Sequence, residues 1–495
     1  MRMGKGPVEI KGKRILVFGL ARSGVGAANL LAGLGAEVTA TDKKPADALG
    51  EYVRQLSPSV KLCLGEYPPS MNGTDMVVVS PGVPLHIDPI IKAREKGIKI
   101  IGELELAYQM VSGRQSAVSG QKTEFLAVTG TNGKSTTTTL LDWMLRKGGF
   151  RSMVGGNIGN ALTEEIAKAM RTQTEVKAKG KEHPGAYPDF PEYVVVEVSS
   201  FQLESIDEFS PKAATILNIT PDHMDRYHSL PDYIDAKCRI FENQGPDDFL
   251  LLNADDPLTV EIIQRIREGH LKGKEIPRIF YFSRKHAVKG AYYREGAISF
   301  DLPGVPPSFT LQPALFRIQG VHNLENAMAS AAMALLAGCP PDAVADALTE
   351  FPGLEHRLEF VRELEGIKYI NDSKGTNVGA VEKSLEGFSE PILLIAGGRD
   401  KEGDFTQLRP LVKEKVKALV LIGEASGKIR GALGDLTHTV HAPHMKEAVE
   451  TAREMARSGD VVLLSPACAS FDMFKDFEDR GRQFKKIVME LSQGW

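Results

Sequence analysis

Phe125-Leu-Ala-Val-Thr-Gly-Thr-Asn-Gly-Lys-Ser-Thr-Thr-Thr-Thr-Leu-Leu-Asp-Trp-Met-Leu145 is the stretch on which the fold turns. An apolar run, a short glycine-bounded turn and a helical pattern follow without a gap, as in a strand–loop–helix unit of a parallel sheet. The turn is Gly130-Thr131-Asn132-Gly133-Lys134-Ser135-Thr136. Backbone N–H groups at a helix N-terminus, with the helix dipole behind them, suit a phosphate chain. Lys134 reads as the cation for β- and γ-oxygens, and the hydroxyl of Ser135 or Thr136 as a magnesium ligand. The spacing departs from G-x-x-x-x-G-K-[ST], because Val128 stands at the first glycine position. A glycine turn with a surface lysine is the bland alternative; the flanking strand and helix favour an ATP site.

Outward from this unit, strand-like runs alternate with helical segments almost throughout, the pattern of β-α units on parallel sheets. Before it come RILVFGL (14–20), the helical GVGAANLLAGLG (24–35), EVTATD (37–42) and MVVVSPG (76–82). After it come YVVVEVSS (193–200), AATILNIT (213–220) and FLLLNADD (249–256), then PILLIAGG (391–398), ALVLIG (418–423) and DVVLLSPA (460–467). Resets near 112 and 352 divide the chain into 1–112, 113–352 and 353–495. The expected fold is α/β in three domains: a Rossmann-like N-terminal domain, a central P-loop ATPase-type domain and a Rossmann-like C-terminal domain. Lys168–Pro191, charged and without apolar period, reads as a solvated loop.

Composition narrows the classes. The chain has 495 residues, 42% hydrophobic and 25% charged, enough for about three domains. Sixty basic against sixty-four acidic side chains leave a net charge of −4, too balanced for a polybasic nucleic-acid or lipid binder. Cys63, Cys238, Cys339 and Cys468 form no C-x-x-C pair, which speaks against structural zinc and fits a reducing compartment. No apolar run approaches the roughly 20 residues of a membrane span, and the first residues lack a signal-peptide core. A cytoplasmic protein is expected.

Further sites lie at the ends of strands. Glu197 leaves the carboxyl end of an apolar strand, where α/β sheets bind ligands, and is placed to hold magnesium. The loop Asn218-Ile-Thr-Pro-Asp-His223-Met-Asp-Arg-Tyr-His228 clusters imidazole and carboxylates. Lys237, in the helical PDYIDAKCRIFE, reads from its surroundings as a solvated lysine. His322, Asn323 and Asn326 precede an apolar helix, and the asparagines read most simply as N-caps. The last block holds Glu355-His-Arg357, Asn371-Asp372-Ser-Lys374-Gly-Thr376, Gly397-Gly-Arg-Asp-Lys401 and Ser465-Pro-Ala-Cys-Ala-Ser470. Such loops suit an anionic substrate and the far side of an ATP site. In the first block, Gly19-Leu-Ala-Arg-Ser-Gly24-Val-Gly26 is not G-x-G-x-x-G, since Ala21 stands at the second glycine. With Asp42 as a ribose-binding acid, NAD is disfavoured and a nucleoside diphosphate such as UDP is as reasonable.

Taken together, TGTNGKST, GNIG (156–159) and H-N-x-x-N (322–326) resemble the Mur ligase family, ATP-dependent amide-forming enzymes of peptidoglycan assembly. VEVSSFQLE, NITPDHMDRY, NDSKGTN and LLSPACASFDMFKDFEDRG look like the branch that joins D-glutamate to UDP-N-acetylmuramoyl-L-alanine. The resemblance implies that Gly130, Thr131, Asn132, Gly133, Lys134, Ser135 and Thr136 hold ATP phosphates, with Asn326, Arg357 and Asp372 as further nucleotide contacts. It implies two magnesium ions on Ser135, Glu197, His223 and Lys237, the last carbamylated by carbon dioxide. Lys134, Glu197, His223 and Lys237 would form the catalytic set. Lys374, Thr376, Lys401, Ser470 and Phe477 resemble the surroundings of D-glutamate. Arg22, Ser23, Asp42, Lys43, Ser80, Asn157 and Ser199 align with the UDP-substrate site. The split of these sites between the second and third blocks implies domain closure, which would exclude water from the acyl phosphate; a monomer with no nucleic-acid partner and no membrane span is expected.

Overall fold

The computed structural model describes residues 9–68, 71–112, 122–178, 190–224, 226–266, 276–318 and 320–492. Three sheets carry them. The first is made of β1 (Arg14–Phe18), β2 (Glu37–Asp42), β3 (Lys61–Leu64), β4 (Met76–Val79) and β5 (Lys99–Gly102), all parallel in the order β3-β2-β1-β4-β5. This is a doubly wound Rossmann-like sheet, and its strand order reverses between β1 and β4.

The central sheet contains β6 (Glu124–Thr129), β7 (Ser152–Gly156), β8 (Tyr193–Glu197), β9 (Ala213–Ile216), β10 (Phe249–Asn253), β11 (Arg278–Ser283), β12 (Gly290–Arg294), β13 (Ala297–Phe300) and β14 (Thr310–Leu311). Its order is β14-β13-β12-β11-β10-β9-β6-β8-β7. Strands β6 to β12 run parallel, and β12, β13 and β14 pair antiparallel. The third sheet, β15 (Glu359–Leu364), β16 (Ile367–Asn371), β17 (Ile392–Gly397), β18 (Val416–Ile422), β19 (His438–His441) and β20 (Val461–Leu464), is ordered β15-β16-β20-β17-β18-β19. Only β15 is antiparallel to its neighbour.

Strands read as continuous apolar runs are the buried parallel ones; Val194, Val195 and Val196 are fully covered because helices lie on both faces. The antiparallel hairpins were not apparent in the alternating β-α pattern. Both turn on a Glu-Gly pair in the left-handed region, Glu295-Gly296 (φ 53° and 86°) and Glu365-Gly366 (φ 55° and 76°), the two-residue geometry that matches strand twist.

One apolar core runs from the first sheet into one face of the central sheet. Tyr108, Phe125 and Phe209 meet there edge-on with centroids 5.1–5.9 Å apart. Two buried carboxylates of the helix Glu103–Val111 fix the same junction. Glu103 accepts from the Thr163 backbone and hydroxyl, and Glu105 from the N–H groups of Asp207, Glu208 and Phe209.

The expected loop at 168–191 is corrected in its first part. Helix Leu162–Ala178 continues through 168–178. Its residues are mostly straight-chain or alanine, and Glu164 and Glu165 in the first turn favour the helix dipole. Residues 179–189 lie outside the described residues. Among the described residues, no helix is long and apolar enough to cross a membrane.

Candidate active site

The carboxyl ends of the central and third sheets face each other across a cleft of about 250 Å³. On the central side, the Gly130–Thr136 loop leaves β6 and enters the helix Lys134–Lys147. Gly133 is left-handed (φ 85°), and a Cβ there would lie 2.4 Å from Asn326 Oδ1, so the loop and the asparagine approach only without a side chain. Lys134 Nζ donates to the carbonyls of Gly130 (2.8 Å) and Thr131 (2.9 Å), folding over its own loop. Burial lowers its pKa, and Glu197 and Asp222 partly restore it.

Glu197 ends β8 beside this loop and is 3% exposed. Burial would raise its pKa, but the Lys134 and Lys374 cations and hydrogen bonds from Ser135 and Asn157 hold it below the usual carboxylate range. Asn157 Nδ2 donates to its Oε1 at 2.8 Å. Its Oε2 is buried with no hydrogen-bond partner, as is Thr136 Oγ1. His223 is left-handed (φ 57°), stands 3.6 Å from Asp222 Oδ2 and packs edge-on against Phe201.

Lys237 is not the solvated lysine expected from its surroundings. It is 1% exposed, donates to the Gly130 carbonyl at 3.0 Å, and lies 4.5 Å from the Tyr233 ring centroid. Burial, then the charge of Lys134, pushes its pKa well down, toward a neutral amine. The amphipathic segment revealed nothing of this, because the phosphate loop that covers Lys237 is 107 residues away in the chain.

Asn323 and Asn326 are likewise not N-caps. Helix Val321–Leu336 begins before them, with Gly320 at its cap position, and both are buried inside it. Asn326 instead accepts from Thr137 Oγ1 at 3.3 Å.

From the third sheet, Arg357 and Asp372 line the cleft. The Asp372 carboxylate is already engaged: it accepts from Ser384 and Ser465 at 2.7 Å each and from the Leu358 N–H at 3.3 Å. Lys374 crosses to the central sheet, where Nζ donates to Ser135 Oγ at 2.8 Å. Phe477 lies behind it, its ring centroid 5.2 Å from Nζ, and its carbonyl accepts from Ser373 Oγ. Thr376 follows in the same loop, with its N–H on the Lys374 carbonyl. Ser470 is buried and accepts from the N–H groups of Met473 and Phe474, whereas Lys401 is exposed.

The remaining predicted residues lie at the first sheet, except Ser199, which follows β8 of the central sheet. Ser80, after β4, donates to the Gly19 carbonyl after β1 at 2.8 Å, spanning the point where strand order reverses. Gly24 is there for packing: a Cβ would come 1.8 Å from Gly19 O and 2.8 Å from Ser80 Oγ. Asp42 accepts from the N–H groups of Leu20 and Lys44, tying two loops together. Lys43 is exposed over the Tyr67 ring. Arg22 donates to Gly159 O of the central unit, with Ser23 next to it in the first turn of Arg22–Gly33. Ser199 caps the short helix Ser200–Leu203.

Family models match all three units: a MurD-like N-terminal domain at 13–102, a Mur ligase middle domain at 128–334 and a Mur ligase glutamate ligase domain at 356–468. A UDP-N-acetylmuramoylalanine–D-glutamate ligase of Geobacter sp. strain M21 is 45% identical over 490 residues, covering 98% of this chain and 100% of its own. The chain belongs to the Mur ligase family. The ligase of the same name from Geotalea daltonii is also 45% identical, covering 98% of this chain and 99% of its own. The Mur fold is shared with the UDP-N-acetylmuramate–alanine ligase of Thermotoga maritima, 20% identical with a TM-score of 0.56 over 96% of this chain and 99% of that one.

Several residues of this Mur ligase site escaped the sequence. Arg480 is fully buried and bonds Ser373 Oγ and O, Cys468 O and Ala469 O, strapping the Lys374 and Ser470 loops together. Its sequence signals are its place in the LLSPACASFDMFKDFEDRG motif, which assigned it no role, and its position four residues before buried Phe484 on the same helix face. Tyr233, 3.3 Å from Thr131 Oγ1, and Ser384 carried no signal at all.

Proposed function

We infer that this chain adds D-glutamate to UDP-N-acetylmuramoyl-L-alanine in peptidoglycan synthesis, hydrolysing ATP to ADP and phosphate as it forms the amide. The meeting of the phosphate loop with Lys374 carries the reading, because it brings a phosphoryl donor and a substrate cation into one cleft. The relatives that are 45% identical over almost the whole chain bear the name of that reaction.

A carboxylate is a poor electrophile, so the γ-phosphoryl group of ATP is first transferred to the L-alanyl carboxylate. The amine of D-glutamate then attacks the acyl phosphate, and phosphate leaves. Lys134 neutralises charge on the transferring group. Lys374 and Thr376, with Lys401, Ser470 and Phe477, hold the amino acid so that its amine meets the acyl carbon; this positioning is the entropic share of catalysis. The two sheets facing each other across the cleft shield the acyl phosphate from water. Residues 1–112 hold the uridine diphosphate end at Ser80, Asp42, Arg22, Ser23 and Lys43, with Asn157 and Ser199 nearer the reacting carboxylate. Residues 113–352 hold ATP and 353–495 the amino acid, with Asn326, Arg357 and Asp372 around the nucleotide.

Magnesium fits the donor set, since Glu197 Oε2 and Thr136 Oγ1 are buried without partners. Ser135, Glu197, His223 and a carbamate on Lys237 would hold two ions, supplying positive charge to the phosphate oxygens. Burial pushes the Lys237 amine toward its neutral form, and the neutral amine is the form that reacts with carbon dioxide. The protein is read as a cytoplasmic monomer.

The decisive experiment is phosphate release with ATP and UDP-N-acetylmuramoyl-L-alanine while single amino acids are varied. Turnover is expected with D-glutamate. Turnover with L-glutamate or diaminopimelate instead would overturn the assignment, and phosphate release independent of any amino acid would favour a nucleotide switch.

A further inference from the structure

The phosphate loop is held from outside as well as by Lys134. Its Asn132 is gripped at both of its backbone polar groups by a single side chain: Asn218 Oδ1 accepts from the Asn132 N–H at 2.8 Å, and Asn218 Nδ2 donates to the Asn132 carbonyl at 3.1 Å. The Asn218 carbonyl also accepts from the Thr131 N–H at 2.9 Å. Thr131 Oγ1 in turn accepts from the Thr220 N–H and lies 3.1 Å from the Thr220 carbonyl. Residues 217–220 are themselves anchored from the far side, where Asn253 Nδ2 donates to the Leu217 carbonyl and Asp256 accepts from the Ile219 N–H. The segment after β9 is thus a strut between the end of β10 and the loop after β6.

We propose that Asn218 is the positioning residue of the phosphate loop, fixing which of its N–H groups face ATP. With the N–H groups of Thr131 and Asn132 both bonded to Asn218, the cradle for phosphate begins at Gly133 and runs into the first turn of the helix, whose N–H groups have no intrahelical partner. Asn218 also lines the cleft beside Gly133 and Asn326, so its amide is close to the nucleotide while serving the loop. An amide is needed here because it offers one acceptor and one donor on the same plane. A carboxylate would keep the first contact, lose the second and add a negative charge beside the phosphates.

The inference rests on the loop's binding ATP, and the two can fail separately. Binding of a non-hydrolysable ATP analogue with magnesium, and of UDP-N-acetylmuramoyl-L-alanine, is measured by calorimetry for the wild type, Asn218→Ala and Asn218→Asp. Nucleotide affinity is expected to fall about tenfold in Asn218→Ala, the scale of a lost buried hydrogen bond, and further in Asn218→Asp. UDP-substrate affinity stays within about twofold in both. Unchanged nucleotide affinity in both variants, or Asn218→Asp binding better than Asn218→Ala, would overturn the proposal. So would a parallel loss of both ligands, which marks general damage; failure of the wild type to bind the nucleotide would overturn the ATP reading itself.

Discussion

Lys374 Nζ donates to Ser135 Oγ at 2.8 Å, joining the loop after β16 to the first helical turn after β6. A second contact accompanies it, from Asn377 Nδ2 to Asp222 Oδ2 at 3.5 Å. The loop after β16 and the Gly130–Thr136 loop therefore touch directly.

If Lys374 serves the amino acid, Lys374→Ala lowers kcat/KM for D-glutamate by about 10- to 100-fold, the scale of one charge-assisted contact. The KM for ATP stays within about threefold. Steady-state kinetics with each substrate varied in turn check this, and equal losses for both would assign Lys374 to the nucleotide.

Lys237→Ala is expected to lower turnover more than about 100-fold, on the scale of a removed electrostatic contact in a closed site. Short carboxylic acids added to the assay restore part of it, by placing a carboxylate where the carbamate would stand. Full activity without rescue would remove Lys237 from the chemistry.

Glu103 is buried, its Oε2 has no partner, and burial raises its pKa despite the Thr163 bonds. The folded state then binds its proton more tightly than the unfolded state. Its contribution is fully favourable below the ordinary value of 4.5 and is lost as pH rises through the raised value. Glu103→Gln keeps the acceptor for Thr163 and removes the charge. It should raise the melting temperature at pH 7.5, with the gain shrinking as pH falls toward 4.5. A gain independent of pH would contradict this account.

Gly24→Ala forces a methyl group into the Gly19 carbonyl and Ser80 hydroxyl. A cost of about 1–3 kcal/mol is expected from overpacking, read from the urea midpoint. KM for the UDP substrate should rise while KM for ATP is unchanged. A variant unchanged in all three would place the UDP end elsewhere.

Much of the architecture was legible because local signals agreed with one another. The β6 run, the glycine turn and the amphipathic helix each pointed to a phosphate loop, and Glu197 at the end of β8 followed from the rule that α/β sheets bind ligands at carboxyl ends. The hairpins at Glu295-Gly296 and Glu365-Gly366 were missed because strands such as GAYYR and EFVREL are partly exposed and mix charged with apolar residues instead of forming continuous apolar runs. The helical stretch 168–178 was read as loop because the apolar stripe of its helix, Leu162, Ile166 and Met170, lies mostly before it, and the residues after Met170 are largely polar or charged.

The sequence by itself determined the strands that read as continuous apolar runs, the strand–loop–helix unit at 125–145 and the resemblance to the Mur ligases, since these rest on residues adjacent in the chain. Tertiary structure alone decided the states of the functional groups. It buried Lys237 beneath a loop 107 residues away, set Asn326 against Gly133, and brought Lys374 across 239 residues to Ser135. Burial and pairing are properties of space, and a side chain's charge and partners depend on neighbours that chain order does not reveal.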